Sequence, residues 1–400
     1  RDPACFHRDG AKVCIYIDDI IGFCDSDEEE VVLKKEFEDF FGDCKFQLPS
    51  MYLGCNVYQD TKTMSVHISN QTLIEKLAKR FIPDFDLTSK HVIRTPFPNN
   101  RADKGVYVNK RDCPNLEAGE SKIDKPYREI LGAINYCVTC SRPDLQVYLM
   151  QLAKVAENPG LRHFELALHL LKYVVTSRDY GITYHSSGKD MEFYVDSSWA
   201  DGAPDYKFAD KDIYHDTTGR IIIKRGEEFM DADDPEARRS TWCYIGMFAS
   251  GAVCWKAKAS KYRRALSSTE AELQGACEAS KKLVNLKETA ELWDINVGKT
   301  VPVHEDNEGC IHLCLSSGLS SRSKHFELRL LYVKQLEREG ILHMTKVHTS
   351  DQLADIGTKI LDVGTLQKLQ NGLMTKGLHA RILDESGKRT DPTWATSKSK

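Results

Sequence analysis

The chain has no apolar run long enough to cross a bilayer, and its first residues, "RDPACFHRDG", lack the apolar stretch of a secretory signal. It therefore reads as intracellular, with no membrane partner. It also has no surplus of positive charge: 55 Lys and Arg stand against 59 Asp and Glu, a net charge of -4. A nucleic-acid partner would have to be met by a local basic patch. There is no internal repeat and no starting Met, and the latter reads as a fragment of a longer chain. Zinc spacing is missing too. Cys137-x-x-Cys140 lies inside the helix-like run "ILGAINYCVTCSRPD" without a second ligand pair. The 13 cysteines are odd in number and spread through apolar surroundings, so they read as buried free thiols in a reducing compartment. Cys310 and Cys314, four apart on a predicted helix, read as core.

What is present is a chain of 400 residues, 41% hydrophobic and 28% charged, enough for two or three globular domains. Residues 13 to 24 read as a β-hairpin. "DEEEVVLKKEFEDFF" reads as a helix with an acidic first turn that complements the helix dipole. Two strands around a polar turn and a short amphipathic helix follow. Residues 97–126, rich in Pro, Asn, Gly and charge, read as a linker, and 127–187 as a helical connector. A new pattern of strands and helices runs over 188–361, interrupted by a polar insertion at 203–236. Residues 362–400 form a polar tail whose end reads as disordered.

Two sets of carboxylates carry chemistry. Asp18 and Asp19 lie side by side within "CIYIDDIIGFC". Adjacent acids between apolar runs suit a hairpin turn, and equally a hard-cation site held by a rigid turn. The second set is Asp196 at a strand end, Glu272 early in a long helix, Asp306 after "VPVHE", and Asp355 in "QLADIG" near a helix start. Each alone is an ordinary cap or strand-end residue. Gathered at one sheet edge they would repel one another unless cations neutralised them. Two Mg²⁺ ions roughly 4 Å apart would do so, and that arrangement serves in-line phosphoryl displacement. "SSTEAEL" offers two glutamates. From Glu272, helical steps reach Ala276, Ala279, Leu283, Leu286 and Ala290, an apolar stripe that should pack on the sheet. From Glu270 they reach Gln274, Cys277, Lys281, Val284 and Glu288, a mostly solvated face. Glu270 also fits a capping box with Ser267. Lys256, Lys258, Lys261, Arg263 and Arg264, with Trp255 and Tyr262 nearby, form an acid-free basic run suited to a phosphate backbone, or to a solvated loop.

Taken together, the motifs resemble the C-terminal part of the Pol polyprotein of copia-type LTR retrotransposons. "IYIDDI" resembles the Y-x-D-D motif of the reverse-transcriptase palm, and "YREILGAINYCVTCSRPDL" the family's helical connector. "YVDSSWAD", "RRSTWCYIG", "ALSSTEAEL", "EDNEGCIHL", "RSKHFELR" and "QLADIGTK" are similar, in order, to its ribonuclease H domain. The resemblance covers residues 1 to about 361. It implies an α/β chain: an α+β palm remainder over 1–96, then a ribonuclease-H-like mixed five-stranded sheet flanked by helices. Asp18 and Asp19 would be palm metal ligands. Asp196, Glu272, Asp306 and Asp355 would hold two Mg²⁺ or Mn²⁺ ions and cleave the RNA strand of RNA/DNA hybrids. The RNA-directed DNA polymerase activity of the family would be lost here, because the palm's third Asp and the template-gripping segments lie upstream of residue 1. The missing N-terminal part of the polyprotein is then an expected partner. Two departures stand out: the 203–236 insertion, and Gly357 in place of a bulky apolar residue, which should loosen the helix carrying Asp355. The alternative expectation is an inactive nucleic-acid-binding remnant. His348, near the last motif, reads as a plain exposed histidine.

Overall fold

The computed structural model describes the chain except residues 1–3, 18, 61, 87–92, 99–107, 109–111, 199–212, 216–220, 226–227, 231–239, 261–264, 266, 317–326 and 378–400. The N-terminal region is a three-stranded antiparallel sheet, β1 (Cys5–Arg8), β2 (Ala11–Tyr16) and β3 (Asp19–Cys24), followed by α1 (Asp27–Phe41). Ser26 caps α1 by accepting from the Glu29 N–H, and four acids fill its first turn. No residue of α1 is buried. Phe6, Tyr16, Ile17, Phe23, Phe40 and Phe41 are exposed as well.

Next come β4 (Met51–Tyr52), β5 (Cys55–Asp60), β6 (Ser65–Ser69) and α2 (Gln71–Phe81). The connector supplies α3 (Tyr127–Cys140), α4 (Gln146–Ala153) and α5 (Leu161–Thr176), and leads into β7 (Tyr180–His185). β7 returns to pair antiparallel with β6, from Ser65↔His185 to Ser69↔Gly181. The resulting sheet therefore draws strands from both sides of the linker.

The mixed sheet is built from β8 (Glu192–Ser198), β12 (Thr241–Phe248), β13 (Gly251–Ala259), β14 (Val301–Glu305) and β15 (Leu342–Lys346). Its order is β13-β12-β8-β14-β15. The first three strands are antiparallel neighbours, and β14 runs parallel to both β8 and β15. This is the five-stranded mixed sheet that the motifs implied. Between β8 and β12, the short strands β9 (Ile213–His215), β10 (Ile221–Arg225) and β11 (Glu228–Met230) form a separate antiparallel sheet. The rest of the insertion lies outside the described residues. The helices that complete the fold are α6 (Ser268–Leu292), α7 (Glu308–Leu315), α8 (Glu327–Arg338), α9 (Asp355–Thr358) and α10 (Val363–Leu373), and β16 (Thr375–Lys376) adds to β7.

The pleat divides each strand between two cores. Phe193 and Val195 of β8, Trp242 and Tyr244 of β12, and Val301 and Val303 of β14 pack with Leu273, Ala276, Ala279 and Leu283 of α6. On the other face, Cys243, Ile245 and Met247 of β12 join a larger core with Ile134 and Val138 of α3, Leu170 and Val174 of α5, Ile356 of α9 and Leu366 of α10. The connector helices are thus one wall of this second core. Arg142 and Asp144 lie inside it, both fully buried, joined by two hydrogen bonds of 2.9 Å. Arg142 also donates to the Ser177 carbonyl and hydroxyl, and Gln370 of α10 donates to Asp144 at 2.7 Å. Every charge-bearing atom of this buried pair that could cost stability has a partner.

Gly357 was expected to loosen α9, and the structure corrects this. A Cβ built on Gly357 would stand 2.3 Å from Cys243 Sγ. The thiol fills the space that a larger side chain would take, and Gly357 is buried in close contact.

Candidate metal centre

Three acids from distant parts of the chain converge where β8, α6 and β14 meet. Asp196, Glu272 and Asp306 each offer a carboxylate oxygen, and these oxygens all lie within 4.8 Å of one another. It is the one such cluster of potential metal ligands among the described residues, and Cys137 and Cys140 take no part in one.

Local structure explains the convergence. β8 carries Asp196 near its end, and Ser197 donates to the Ala271 carbonyl at 2.8 Å, tying strand to helix one residue before Glu272. α6 can approach this closely because residue 275 is glycine: a Cβ there would stand 2.9 Å from Ser197 Oγ and 3.2 Å from Val195 Cγ1. Asp306 follows β14 directly. Its N–H and that of Asn307 both donate to Glu305 Oε1, at 3.1 and 3.0 Å, and Asn307 then caps α7 through the Cys310 N–H. Asp355 opens α9 and is buried, yet it stands apart from the three-acid cluster. Gln352 holds that segment against the sheet by donating to the Val195 carbonyl at 2.8 Å.

Two side chains that sequence reasoning did not single out complete the centre. Glu305 is fully buried beside Asp306. The alternation Val301-x-Val303-x-Glu305 places it on the inward face of β14, a signal readable from the pleat. Lys359 Nζ lies 3.3 Å from Asp196 Oδ1 and 2.6 Å from Asp355 Oδ1. Its signal is the spacing of four from Asp355. Thr358 donates its hydroxyl to the other Asp196 oxygen.

The electrostatics follow from burial. Desolvation first, then Glu305, Asp196 and Asp306, push the Glu272 carboxyl up to about 11, while Lys359 pulls the other way. Burial, opposed by the backbone N–H of Asn307, holds Glu305 well above the carboxylate range. Burial and Asp196 push Asp355 up to about 7 against the pull of Lys359. Glu272 Oε2 and Glu305 Oε2 are buried without a hydrogen-bond partner. At the cluster's limiting separation of 4.8 Å, each ionised pair repels by about 3–4 kcal/mol at an effective dielectric of about 20. Three carboxylates within reach of one another, one of them with an orphaned oxygen, are a donor set suited to a hard divalent cation such as Mg²⁺ or Mn²⁺, so the residues fit the ion that the motifs implied.

The remaining candidates stand elsewhere. Asp19 begins β3, exposed, opposite Tyr16 across the hairpin, and Asp18 lies outside the described residues. Lys256 and Lys258 are exposed on β13, opposite Tyr244 and Trp242. They share the α6 face of the sheet, whereas Asp196 is in register with Cys243 and Ala257 on the other face. Lys261, Tyr262, Arg263 and Arg264 lie outside the described residues. Trp255 donates its indole N–H to the Val138 carbonyl at 2.8 Å, so it packs on α3 rather than standing free beside the basic run. Glu270 is a correction: it is buried, not solvated. α6 has α7 and α8 against it as well as the sheet, and Cys277 on the Glu270 face is buried too, whereas Lys281 and Glu288 farther along that face are exposed. The cap is present, since Ser267 Oγ accepts from the Glu270 N–H at 3.2 Å. His348 is exposed and caps the turn at Thr349–Asp351.

No family model matches the chain. It is 23% identical over 310 residues to the retrovirus-related Pol polyprotein from transposon TNT 1-94 of Nicotiana tabacum, covering 77% of this chain and 20% of that protein. It is 27% identical over 244 residues to the retrovirus-related Pol polyprotein from transposon RE2 of Arabidopsis thaliana, covering 60% and 14%. The chain thus spans about a fifth or less of the length of these relatives. Among solved structures it is similar to LC11-RNase H1, isolated from compost, at 11% identity and a TM-score of 0.27, covering 45% of this chain and 97% of that one.

Proposed function

Both relatives named above are retrovirus-related Pol polyproteins from transposons, and from that premise we propose that residues 188–361 carry a divalent-metal-dependent nuclease acting on the RNA strand of RNA/DNA hybrids. The observation that carries the reading is the convergence of Asp196, Glu272 and Asp306, with a buried Glu272 oxygen left unpartnered. Two divalent ions would supply Lewis acidity toward a phosphodiester and offset the charge of the acids. Asp196, Glu272 and Asp306 would hold one position, and Asp196 with Asp355 the other.

The chain's own residues do the rest. Thr358 holds one Asp196 oxygen and Lys359 meets the other, so both fix the orientation of this carboxylate. The two N–H bonds to Glu305 fix the turn that presents Asp306. Gln352 and Ser197 lock the segments bearing Asp355 and Glu272 onto β8. Such preset geometry lowers the reorganisation required at the reacting phosphate. Lys256 and Lys258, with the unassigned Lys261, Arg263 and Arg264, are proposed to contact the phosphate backbone of the hybrid. The chain works inside the cell, in this reading, with its 13 thiols free. Asp18 and Asp19 are proposed as metal ligands of a polymerase palm. The test is cleavage of end-labelled hybrid by the purified chain with Mg²⁺ or Mn²⁺ and with EDTA. Metal-dependent cleavage that disappears in Asp196→Asn is expected. Hybrid binding without cleavage in either metal would favour a remnant that only binds.

A further inference from the structure

The acids divide into two unequal groups. Asp196, Glu272 and Asp306 face one another within 4.8 Å, with a bare oxygen on Glu272. Between Asp196 and Asp355 the situation differs, because the Lys359 ammonium sits there. It is 3.3 Å from one carboxylate and 2.6 Å from the other. The Lys359 side chain is 38% exposed, and the two acids it bridges are 2% and 9% exposed. An ammonium contacting two buried carboxylates does what a divalent ion would do there: it offsets both charges from the solvent side.

Resting on the reading above, we propose that Lys359 is a resident cation holding the second metal position, so that the free protein takes up one divalent ion and the second enters only when the ammonium is displaced. The first ion binds at Asp196, Glu272 and Asp306, a set in which Lys359 contacts Asp196 alone, at the longer of its two distances. The second must separate Lys359 from Asp196 and Asp355. A phosphate of the bound nucleic acid is the natural new partner for the released ammonium, since the lysine stem reaches the surface. Occupancy of the second position is thereby tied to substrate. Lys359 is a positioning residue, acting through the two carboxylates rather than on the reacting atoms.

The test is Mn²⁺ titration of the whole chain without nucleic acid, counting bound ions by electron paramagnetic resonance of the free ion. Wild type is expected to bind one ion and Lys359→Arg one ion. Lys359→Met should bind two, the second at least about tenfold more tightly than any second ion on wild type. In EDTA, Lys359→Met should melt below wild type, and Mn²⁺ should close that gap. Two ions of similar affinity on wild type, or identical isotherms for wild type and Lys359→Met, would overturn the proposal. Failure of both proteins to bind any ion removes the metal centre itself and this role with it, a result distinct from binding without discrimination. Should Lys359→Met not fold, the double variant Lys359→Met/Asp355→Asn removes one charge of each sign. It should fold and bind one ion with wild-type affinity; its failure to fold would show that Lys359 serves packing, and the proposal falls.

Discussion

Glutamine at position 272 should make the metal-free protein more stable while destroying its metal response. Glu272 is 5% exposed and its carboxyl is pushed up to about 11, against an ordinary value of 4.5. A carboxyl whose folded value is raised stabilises the fold only at pH below its unfolded value. That contribution is lost as pH rises from 4.5 toward 11. At neutral pH the folded protein holds a proton that the unfolded chain would release. The gap of about two and a half pH units, at about 1.4 kcal/mol per unit, gives a cost of at most about 3 kcal/mol. Gln keeps the shape, carries no charge, and removes that cost. Glu272→Gln should therefore raise the unfolding free energy in EDTA at neutral pH by up to about 3 kcal/mol and flatten its decline with pH. Mg²⁺ should stabilise wild type and leave the variant unmoved, and hybrid cleavage should be lost. Glu270→Gln is the control, with metal response and cleavage retained. Urea denaturation across pH, with and without Mg²⁺, measures all of this. Equal or lower stability of Glu272→Gln in EDTA, or an intact Mg²⁺ response, would refute the reasoning.

Glu305→Ala removes the acceptor of two backbone N–H groups at the Asp306 turn and should cost about 1–3 kcal/mol in Mg²⁺, seen in chemical denaturation, while weakening metal affinity. Asp355, pushed up to about 7, should make metal-free stability fall as pH rises from about 4 to about 7, and Asp355→Asn should abolish that part of the slope. Arg142→Ala strands Asp144 in the core and should cost about 3–5 kcal/mol, and deletion of both charges by Arg142→Met/Asp144→Leu should recover much of it. Neutralising Lys256, Lys258 and Lys261 should reduce the slope of log affinity for hybrid against log salt, and an unchanged slope would assign the run to solvent.

Much of this architecture is legible in the residues. Strand alternation and turn residues give the N-terminal hairpin and the strands of the mixed sheet, and the apolar stripe below Glu272 places it on the sheet side of α6. The burial of Glu270 was not legible, because it depends on what packs around the first turns of α6, a tertiary effect that no window of sequence contains. The packing of Gly357 against Cys243 is of the same kind: two residues far apart in the chain exchange volume. Glu305 was within reach, since Val301, Val303 and Glu305 share one phase of the pleat, but an acid at a strand end is easily taken for a solvated one. Lys359 sits in plain view four residues after Asp355, and only the fold shows that it also meets Asp196. The compositional linker at 97–126 conceals that the elements on its two sides share a sheet and a core.

That shared sheet sets a rule for recombination. β6 and β7 are stitched in register although the whole connector separates them in the gene, and β16 seals the far edge of β7. When two diverged copies of such a chain exchange sequence anywhere between these strands, the recombinant inherits one partner from each parent. The pleat makes the mismatch unforgiving, for Val66 and Ile68 must meet Tyr184 and Ile182 from the other parent. Exchange upstream of β4 spares the pairing. Breakpoints before residue 51 or after residue 376 should therefore be better tolerated than those between β6 and β7.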